Sequence, residues 1–319
     1  MEPLKNLSHS DIQDGLQRGI NSAIEKVLNP FGFNNYFSHA QLEELIGHDI
    51  KGLHFTINYS PSLIDPTSKQ SVPSFINLNG FDRKAGGVIK LNRQYPRKAL
   101  REALFHEYAH LKDDTLPILN SDLNAPNSRA TYVRAYMKLV EFHADVIAYT
   151  LMMPPWQIVS DLLTNAYDID KIIEKYVNIE KSSIFQWITL INPLPCHFAW
   201  IILEKDTNEN IIRSVIHDDC YYDHQVDPRQ FNIESIISYH PDSAAATALR
   251  ERGDVKKESN IFGTEYYCYA YYEENLSLEV IKDLISPCPN SVHYDRLLVI
   301  GWTKAIDNMI KNMAQAKKP

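Results

Sequence analysis

The chain has 319 residues, of which 44% are apolar and 23% charged, and it carries a formal net charge of −8 at pH 7. This composition excludes wholesale disorder, and the negative charge argues against direct binding to nucleic acid, which requires a basic face. The length predicts two domains of ordinary size or one large domain.

Four cysteines are scattered along the chain without a close pair, which argues against a cysteine-based zinc finger or a disulfide framework. The first residues lack the basic start and the apolar run of a secretory signal. No stretch approaches the roughly 18 consecutive apolar residues that a membrane helix needs. We therefore predict a cytoplasmic protein with no membrane association.

The first part of the sequence changes from helical to strand periodicity. Apolar spacing predicts a helix within residues 9–28 and a second, short helix over Ser38–Ile46 that ends at Gly47. Turn residues between the last two of the strands that follow indicate a hairpin, and we expect a small antiparallel sheet. Three apolar runs have the length and composition of these strands: Leu53–Tyr59, Phe75–Leu78 and Val88–Leu91.

Longer helices occupy the middle of the chain. Pro96 suits the first turn of a helix that runs to about Lys112. Ser128 is expected to cap a long helix that ends at Pro154 and Pro155, and two further helices follow.

Strand-length apolar runs alternate with helical segments after residue 192. The sequence therefore predicts an α+β fold with a domain boundary near that residue. Residues 1–192 would form a helical core with its small sheet, and residues 193–319 a separate α+β accessory domain of unknown role.

The segment from His106 to His110 (HEYAH) is an HExxH motif on the predicted helix after Pro96. Residues four apart lie one turn above each other, so these two histidines can direct imidazole nitrogens at one cation. Zinc accepts neutral imidazole and tolerates a tetrahedral geometry that leaves room for water. Glu107 is close enough to such a water to act as a general base, although a motif this short also occurs by chance.

A third ligand is expected on the long helix that follows. Its apolar residues form one face at helical spacing, and Glu141 and Asp145 fall inside that face. Burial of two carboxylates there would cost several kcal/mol without compensation. We predict that Glu141 is the third ligand and that Asp145 accepts the outer N–H of a ligating histidine. The alternative is a structural salt bridge with Arg129 or Arg134.

Two histidines and one glutamate leave the fourth position of a tetrahedral zinc ion open. An open position is typical of a catalytic site, whereas structural sites are closed. We therefore expect one catalytic Zn²⁺ per chain.

Two helices that carry HExxH and then ExxxD resemble the thermolysin-like gluzincin arrangement. The flanking segments are more specific: residues 87–92 (GVIKLN), Arg97 and the HExxH helix look like the strand and helix of ImmA/IrrE-type metallopeptidases. Residues 141–154 (EFHADVIAYTLMMP) are similar to that family's second signature, from which His143, Ile147 and Tyr149 depart. The resemblance covers roughly residues 50–192.

The resemblance implies a zinc-dependent endopeptidase that cleaves a protein, often a helix-turn-helix repressor. Glu107 would take the proton of the attacking water, and the strand at residues 88–92 would line the cleft and accept an extended substrate. An oxyanion stabiliser is also needed, and the sequence does not choose among Arg97, Tyr132 and His143. His143 points away from Glu141 on the helical wheel, which favours a surface role for it.

Two other functions stay open. The protein could be a sensor or binding protein in which a zinc site only holds the fold together, or a protease toxin or effector with a different protein target. Residues 193–319 could sense a signal, recruit the substrate or mediate self-association. The sequence does not predict the oligomeric state.

Overall fold

Among the described residues, each of the two compact units of the chain, Met1–Pro154 and Pro155–Pro319, contains α-helices and one β-sheet, which confirms the predicted α+β fold class. Among the described helices, none has the length and apolar character that crossing a membrane requires. A computed structural model of the protein describes residues 9–32, 39–64, 71–79, 85–112, 130–192, 194, 196–217, 233–276 and 293–316.

The N-terminal unit combines helices with three short strands. A single π-helical turn, Ile24–Leu28, continues the first helix. In chain order its elements are α1 (His9–Ala23), α2 (His39–Gly52), β1 (Phe55–Ser60), β2 (Ser74–Leu78), β3 (Gly87–Asn92), α3 (Arg97–Lys112) and α4 (Ala130–Met152).

The sheet of this unit is mixed, so the prediction of an antiparallel sheet is wrong. Its strand order is β1-β3-β2, and β3 pairs antiparallel with β2 but parallel with β1. The β2–β3 hairpin is confirmed. Turn residues in a sequence report only on consecutive strands, whereas the β1–β3 pairing joins strands that are not consecutive. The buried side chains of Ile89 and Leu91 suit the central position of β3.

Helix α2 continues through Gly47 to Gly52, so the predicted end at Gly47 is also wrong. A glycine in a helix interior costs about 0.5–1 kcal/mol relative to alanine. Ile46 and Ile50 lie one turn apart on the same side of α2, and both are fully buried. Their burial stabilises the helix by more than the glycine costs.

The C-terminal unit begins with helices and continues with a five-stranded antiparallel sheet of order β5-β4-β8-β7-β6. Its elements are α5 (Pro155–Thr164), α6 (Ile169–Lys175), α7 (Lys181–Ile191), β4 (His197–Lys205), β5 (Ile211–His217), α8 (Ile233–Tyr239), α9 (Ala244–Glu251), β6 (Val255–Ile261), β7 (Thr264–Glu273), β8 (His293–Thr303) and α10 (Lys304–Ala316).

Helices α5 to α7 belong to the C-terminal unit, whereas the sequence predicts a boundary near residue 192. The rings of Phe185 in α7 and Phe198 in β4 lie 5.5 Å apart. Tyr271 of β7 donates a hydrogen bond of 2.6 Å to Asp170 in α6. Local periodicity does not reveal such partners, because the strands that these helices cover come later in the chain.

Glycines let α1 approach α4 closely. A Cβ atom at Gly19 would lie 2.5 Å from Cγ1 of Val146, and one at Gly15 would lie 3.0 Å from the ring of Phe142. The 2.5 Å distance at Gly19 is shorter than real Cβ contacts, so a side chain there would push the two helices apart.

We expect Gly19→Ala to lower the free energy of unfolding by about 1–3 kcal/mol, because the added methyl group overpacks the contact between α1 and α4. Gly47→Ala is the matched control. A Cβ at Gly47 meets nothing within 4 Å, and alanine should raise stability by about 0.5–1 kcal/mol. Urea unfolding followed by circular dichroism measures both changes, and a Gly19→Ala protein as stable as wild type would contradict the close packing.

Candidate metal centre

The packing of α3 against α4 positions the predicted ligands. Each helix buries an apolar face, with Phe105 and Leu111 on α3 and Ala144 and Ile147 on α4. His106 and His110 are one turn apart on α3, so their rings lie on the same side of that helix. Both rings therefore reach the same part of α4.

Three ligand-type side chains converge between the two helices. Nε2 of His106 lies 3.0 Å from Nε2 of His110 and 3.1 Å from Oε2 of Glu141. The same Glu141 oxygen is 3.5 Å from Nε2 of His110. One ligand atom from each of the three residues lies within 4.8 Å of the others. The structure thus brings together the three residues that the sequence singled out.

These separations fit a metal ion. Ligands bound at about 2.0–2.2 Å in a tetrahedron are about 3.4 Å apart, close to the observed spacing of the two histidine nitrogens and the glutamate oxygen. Two neutral imidazoles and one carboxylate also form a donor set that first-row divalent metals accept. His106, His110 and Glu141 could therefore hold one metal ion.

Asp145 orients one of the histidines. Oδ1 of Asp145 lies 2.7 Å from Nδ1 of His106, and the side chain is only 18% exposed. When Nδ1 donates its proton to the carboxylate, the lone pair of Nε2 faces His110 and Glu141. This is the role that the sequence predicted for Asp145.

The charges around His106 favour a cation at the centre of the group. Burial lowers the pKa of His106, but Asp145 and Glu141 outweigh burial and raise this pKa well above its ordinary value of 6.5. Burial likewise raises the pKa of Glu141, but His106 and His110 lower it overall. Carboxylates on both sides of an imidazole thus stabilise a positive charge, and a divalent cation can occupy the same place.

Glu141 is more exposed than the helical pattern implied. Its side chain is 49% exposed, although Val140, Ala144 and Ile147 around it are buried. The desolvation cost that the sequence argument assigned to this carboxylate is therefore smaller than assumed. The exposure of Glu141 also leaves the cluster of His106, His110 and Glu141 accessible from solvent.

Glu107 follows the first ligand on α3 and is buried, with 8% of its surface exposed. Its Oε1 accepts a hydrogen bond of 2.7 Å from the hydroxyl of Ser74, the first residue of β2. Sequence reasoning missed Ser74, because a serine at the start of a strand belongs to no motif. The predicted general base thus contacts the sheet as well as the helix that carries the histidines.

Glu107 bonds to β2 through Ser74, whereas the sequence assigned the cleft to residues 88–92. These residues belong to β3, which pairs with β1 on one side and with β2 on the other. Both edges of β3 are therefore occupied, and it cannot accept a further strand. In the described part of this sheet, β2 is an outer strand.

Two of the three predicted oxyanion residues do not lie near the cluster of His106, His110 and Glu141. Arg97 is exposed at the N-terminal end of α3, about 13 Å along the helix axis from His106. His143 contacts α1 instead, since a Cβ at Gly19 would lie 3.1 Å from its Cδ2 atom. The third residue, Tyr132, has a side chain outside the described residues.

We expect the purified protein to bind one metal ion per chain, and His110→Ala or Glu141→Ala to abolish stoichiometric binding because each removes a ligand. Asp145→Asn should weaken affinity about 10- to 100-fold, because the ring of His106 loses its anionic partner. Elemental mass spectrometry and competition with a chromophoric chelator measure content and affinity.

His143→Ala is the matched control for these variants, because it removes an imidazole from another side of the same helix. Its metal affinity should equal that of wild type. Wild-type affinity in Glu141→Ala would contradict the ligand set.

Comparison with known proteins supports the fold alone. A Mycobacterium tuberculosis transcriptional regulator of known structure is similar to this chain with a TM-score of 0.55 and 12% sequence identity, over 95% of this chain and 79% of that chain. No known protein family and no curated protein matches the sequence.

Proposed function

We propose that the protein is a zinc-dependent endopeptidase whose substrate is another protein. The observation that carries the proposal is the convergence of His106, His110 and Glu141, together with the buried carboxylate of Glu107, the residue that follows His106 on α3. A metal site that only stabilises a fold does not need a carboxylate at that position. Three protein ligands also leave one position of a tetrahedral ion for water or substrate.

The donor set of two imidazoles and one carboxylate suits Zn²⁺. When bound, this ion would polarise the scissile carbonyl and lower the pKa of a coordinated water towards about 7.

The residues of the chain supply the proton transfers and the alignment. Glu107 would accept a proton from the attacking water and deliver it to the leaving amine. Asp145 keeps the ring of His106 in a fixed orientation through its 2.7 Å contact with Nδ1. Arg97 and His143 lie elsewhere, and Tyr132 precedes Glu141 on α4 by nine residues, the same spacing that separates Arg97 from His106 on α3. We therefore assign the oxyanion role to none of the three candidates.

An extended substrate would add to β2. Backbone N–H and C=O groups at the edge of an outer strand can pair with another polypeptide. Because Ser74 at the start of β2 contacts Glu107, a chain added along this strand would pass the proposed base. This replaces the sequence-based assignment of the cleft to residues 88–92.

A cytoplasmic regulator, such as a helix-turn-helix repressor, is the substrate class that we propose. The resemblance of residues 87–92, Arg97 and residues 141–154 to ImmA/IrrE-type peptidases supports it. The C-terminal unit would then recruit the substrate or sense a signal that controls cleavage.

The second candidate function is a regulatory or sensor protein whose metal ion serves only the fold. The name of the mycobacterial neighbour favours this candidate. A protease toxin or effector would share the site and differ in its target. The genomic neighbourhood distinguishes a repressor-cleaving protease from a toxin or effector protease, because a repressor gene beside this one favours the former.

Replacement of Glu107 tests the proposed reaction. We expect Glu107→Gln to keep one zinc ion per chain and to lose cleavage about 10²- to 10⁴-fold, because an amide cannot accept the proton of the attacking water. Mass spectrometry of new protein termini, in cells that express wild type or Glu107→Gln, measures the difference and identifies the substrate.

Glu44→Gln makes the same chemical change at an exposed position of α2 and should cleave like wild type. Unchanged cleavage by Glu107→Gln would contradict the mechanism. If cells that express wild type and cells that express Glu107→Gln show the same protein termini, and both proteins bind zinc, the second candidate function is favoured.

A further inference from the structure

We infer that Ser74 is a positioning residue that aligns Glu107 for its reaction, and this inference rests on the proposed function. The hydroxyl of Ser74 donates to Oε1 of Glu107 at 2.7 Å. That distance is the ordinary length of a well-formed O–H···O hydrogen bond. Because Glu107 is only 8% exposed, little water competes for this contact.

The bond restricts a side chain that otherwise has several rotamers. Ordering a glutamate costs up to about 2 kcal/mol of conformational entropy, so an unrestrained carboxylate spends part of its time in unproductive orientations. A general base must lie within about 2.6–3.2 Å of the atom that gives up the proton. A hydrogen bond at Oε1 holds the carboxylate plane and leaves Oε2 for the attacking water.

Ser74 is itself held by the sheet. The fully buried Asn92, at the end of β3, donates through Nδ2 to Oγ of Ser71 at 3.2 Å and to the carbonyl of Val72 at 3.1 Å. Its backbone N–H donates to the carbonyl of Pro73 at 2.8 Å. The three residues before Ser74 are thus bound to the last residue of β3.

Pairing within the sheet fixes Ser74 further, because it lies opposite Leu91 in the antiparallel register of β2 and β3. The position of the hydroxyl is therefore set by sheet geometry, which gives a precise support for a catalytic group. Asn92, the last residue of the GVIKLN segment, thus holds the segment that leads to Ser74.

Ser74 also connects the base with the strand that would receive the substrate. In the proposed function, an extended substrate pairs with β2 and orders its backbone. The same ordering would steady the hydroxyl that holds Glu107. Loss of the hydroxyl should therefore lower kcat and leave KM for a peptide substrate nearly unchanged.

Acetohydroxamate tests this inference without knowledge of the natural substrate. The compound chelates zinc through its two oxygens, and its remaining N–H or O–H group can bond to a carboxylate beside the ion. On the zinc-loaded full chain, we expect Ser74→Ala to bind acetohydroxamate about tenfold more weakly than wild type, as calorimetry measures it. The affinity of Glu107→Gln for acetohydroxamate should be equal to that of Ser74→Ala or lower.

Two matched variants separate positioning from a structural defect. Ser74→Thr keeps the hydroxyl and suits a strand, so it should restore affinity to within about twofold of wild type. Ser60→Ala removes a serine hydroxyl from the other outer strand, where it bonds to the backbone carbonyl of Ser62 at 2.8 Å, and should behave like wild type. Zinc affinity should be the same in all these variants, because Ser74 and Ser60 contact no ligand atom.

The outcomes distinguish this inference from the proposed function. Wild-type affinity of Ser74→Ala for acetohydroxamate, beside weakened binding by Glu107→Gln, would overturn the role of Ser74 alone. Equally weak binding by Ser74→Thr and Ser74→Ala would overturn it as well, since the hydroxyl would not matter. If the wild-type chain binds no zinc, or if Glu107→Gln leaves the affinity for acetohydroxamate unchanged, the proposed function and the inference are overturned together.

Discussion

The packing of α3 against α4 is the constraint on which the cluster of His106, His110 and Glu141 depends. Helical geometry alone places His106 and His110 one turn apart, but the third side chain comes from a second helix, which must be in the correct register. Buried apolar faces fix that register, and they place Oε2 of Glu141 within 3.1 Å of Nε2 of His106. A sliding of one helix by a single turn would move the carboxylate by about 5.4 Å and take it out of reach.

Core packing and chemistry are therefore linked through α4. On one side of this helix, Gly19 of α1 lies so close to Val146 that no side chain fits between them. Elsewhere on α4, Glu141 and Asp145 face the histidines of α3. The third support is β2, whose first residue bonds to Glu107, so the proposed site draws on two helices and one strand.

Much of this site could be predicted from the sequence because its residues follow helical spacing. The HExxH motif and the pair Glu141 and Asp145 are local patterns, and helix geometry converts each pattern into a shared face. The helix and strand positions followed in the same way from apolar periodicity and turn residues. The features that the sequence did not predict depend on contacts between segments that are distant in the chain. The parallel pairing of β1 with β3 is one example, and the contact of Ser74 with Glu107 is another.

Differences at single residues have similar causes. Arg97 is chemically suitable as an oxyanion stabiliser, but residue type does not reveal distance. Helical spacing directed His143 away from Glu141 and favoured the surface, whereas its side chain contacts α1. Gly47 is a frequent helix end, yet the buried Ile50 carries α2 beyond it. The compact units divide between Pro154 and Pro155, and the sheet that helices α5 to α7 cover follows these helices in the chain.

X-ray absorption spectroscopy at the zinc edge of the purified, zinc-loaded chain identifies the atoms bound to the ion. We expect a first shell of nitrogen and oxygen at about 2.0–2.2 Å, with the outer-shell signal of two imidazole rings. A first shell with sulfur at about 2.3 Å, or no outer-shell signal from imidazole, would contradict a site formed by His106, His110 and Glu141.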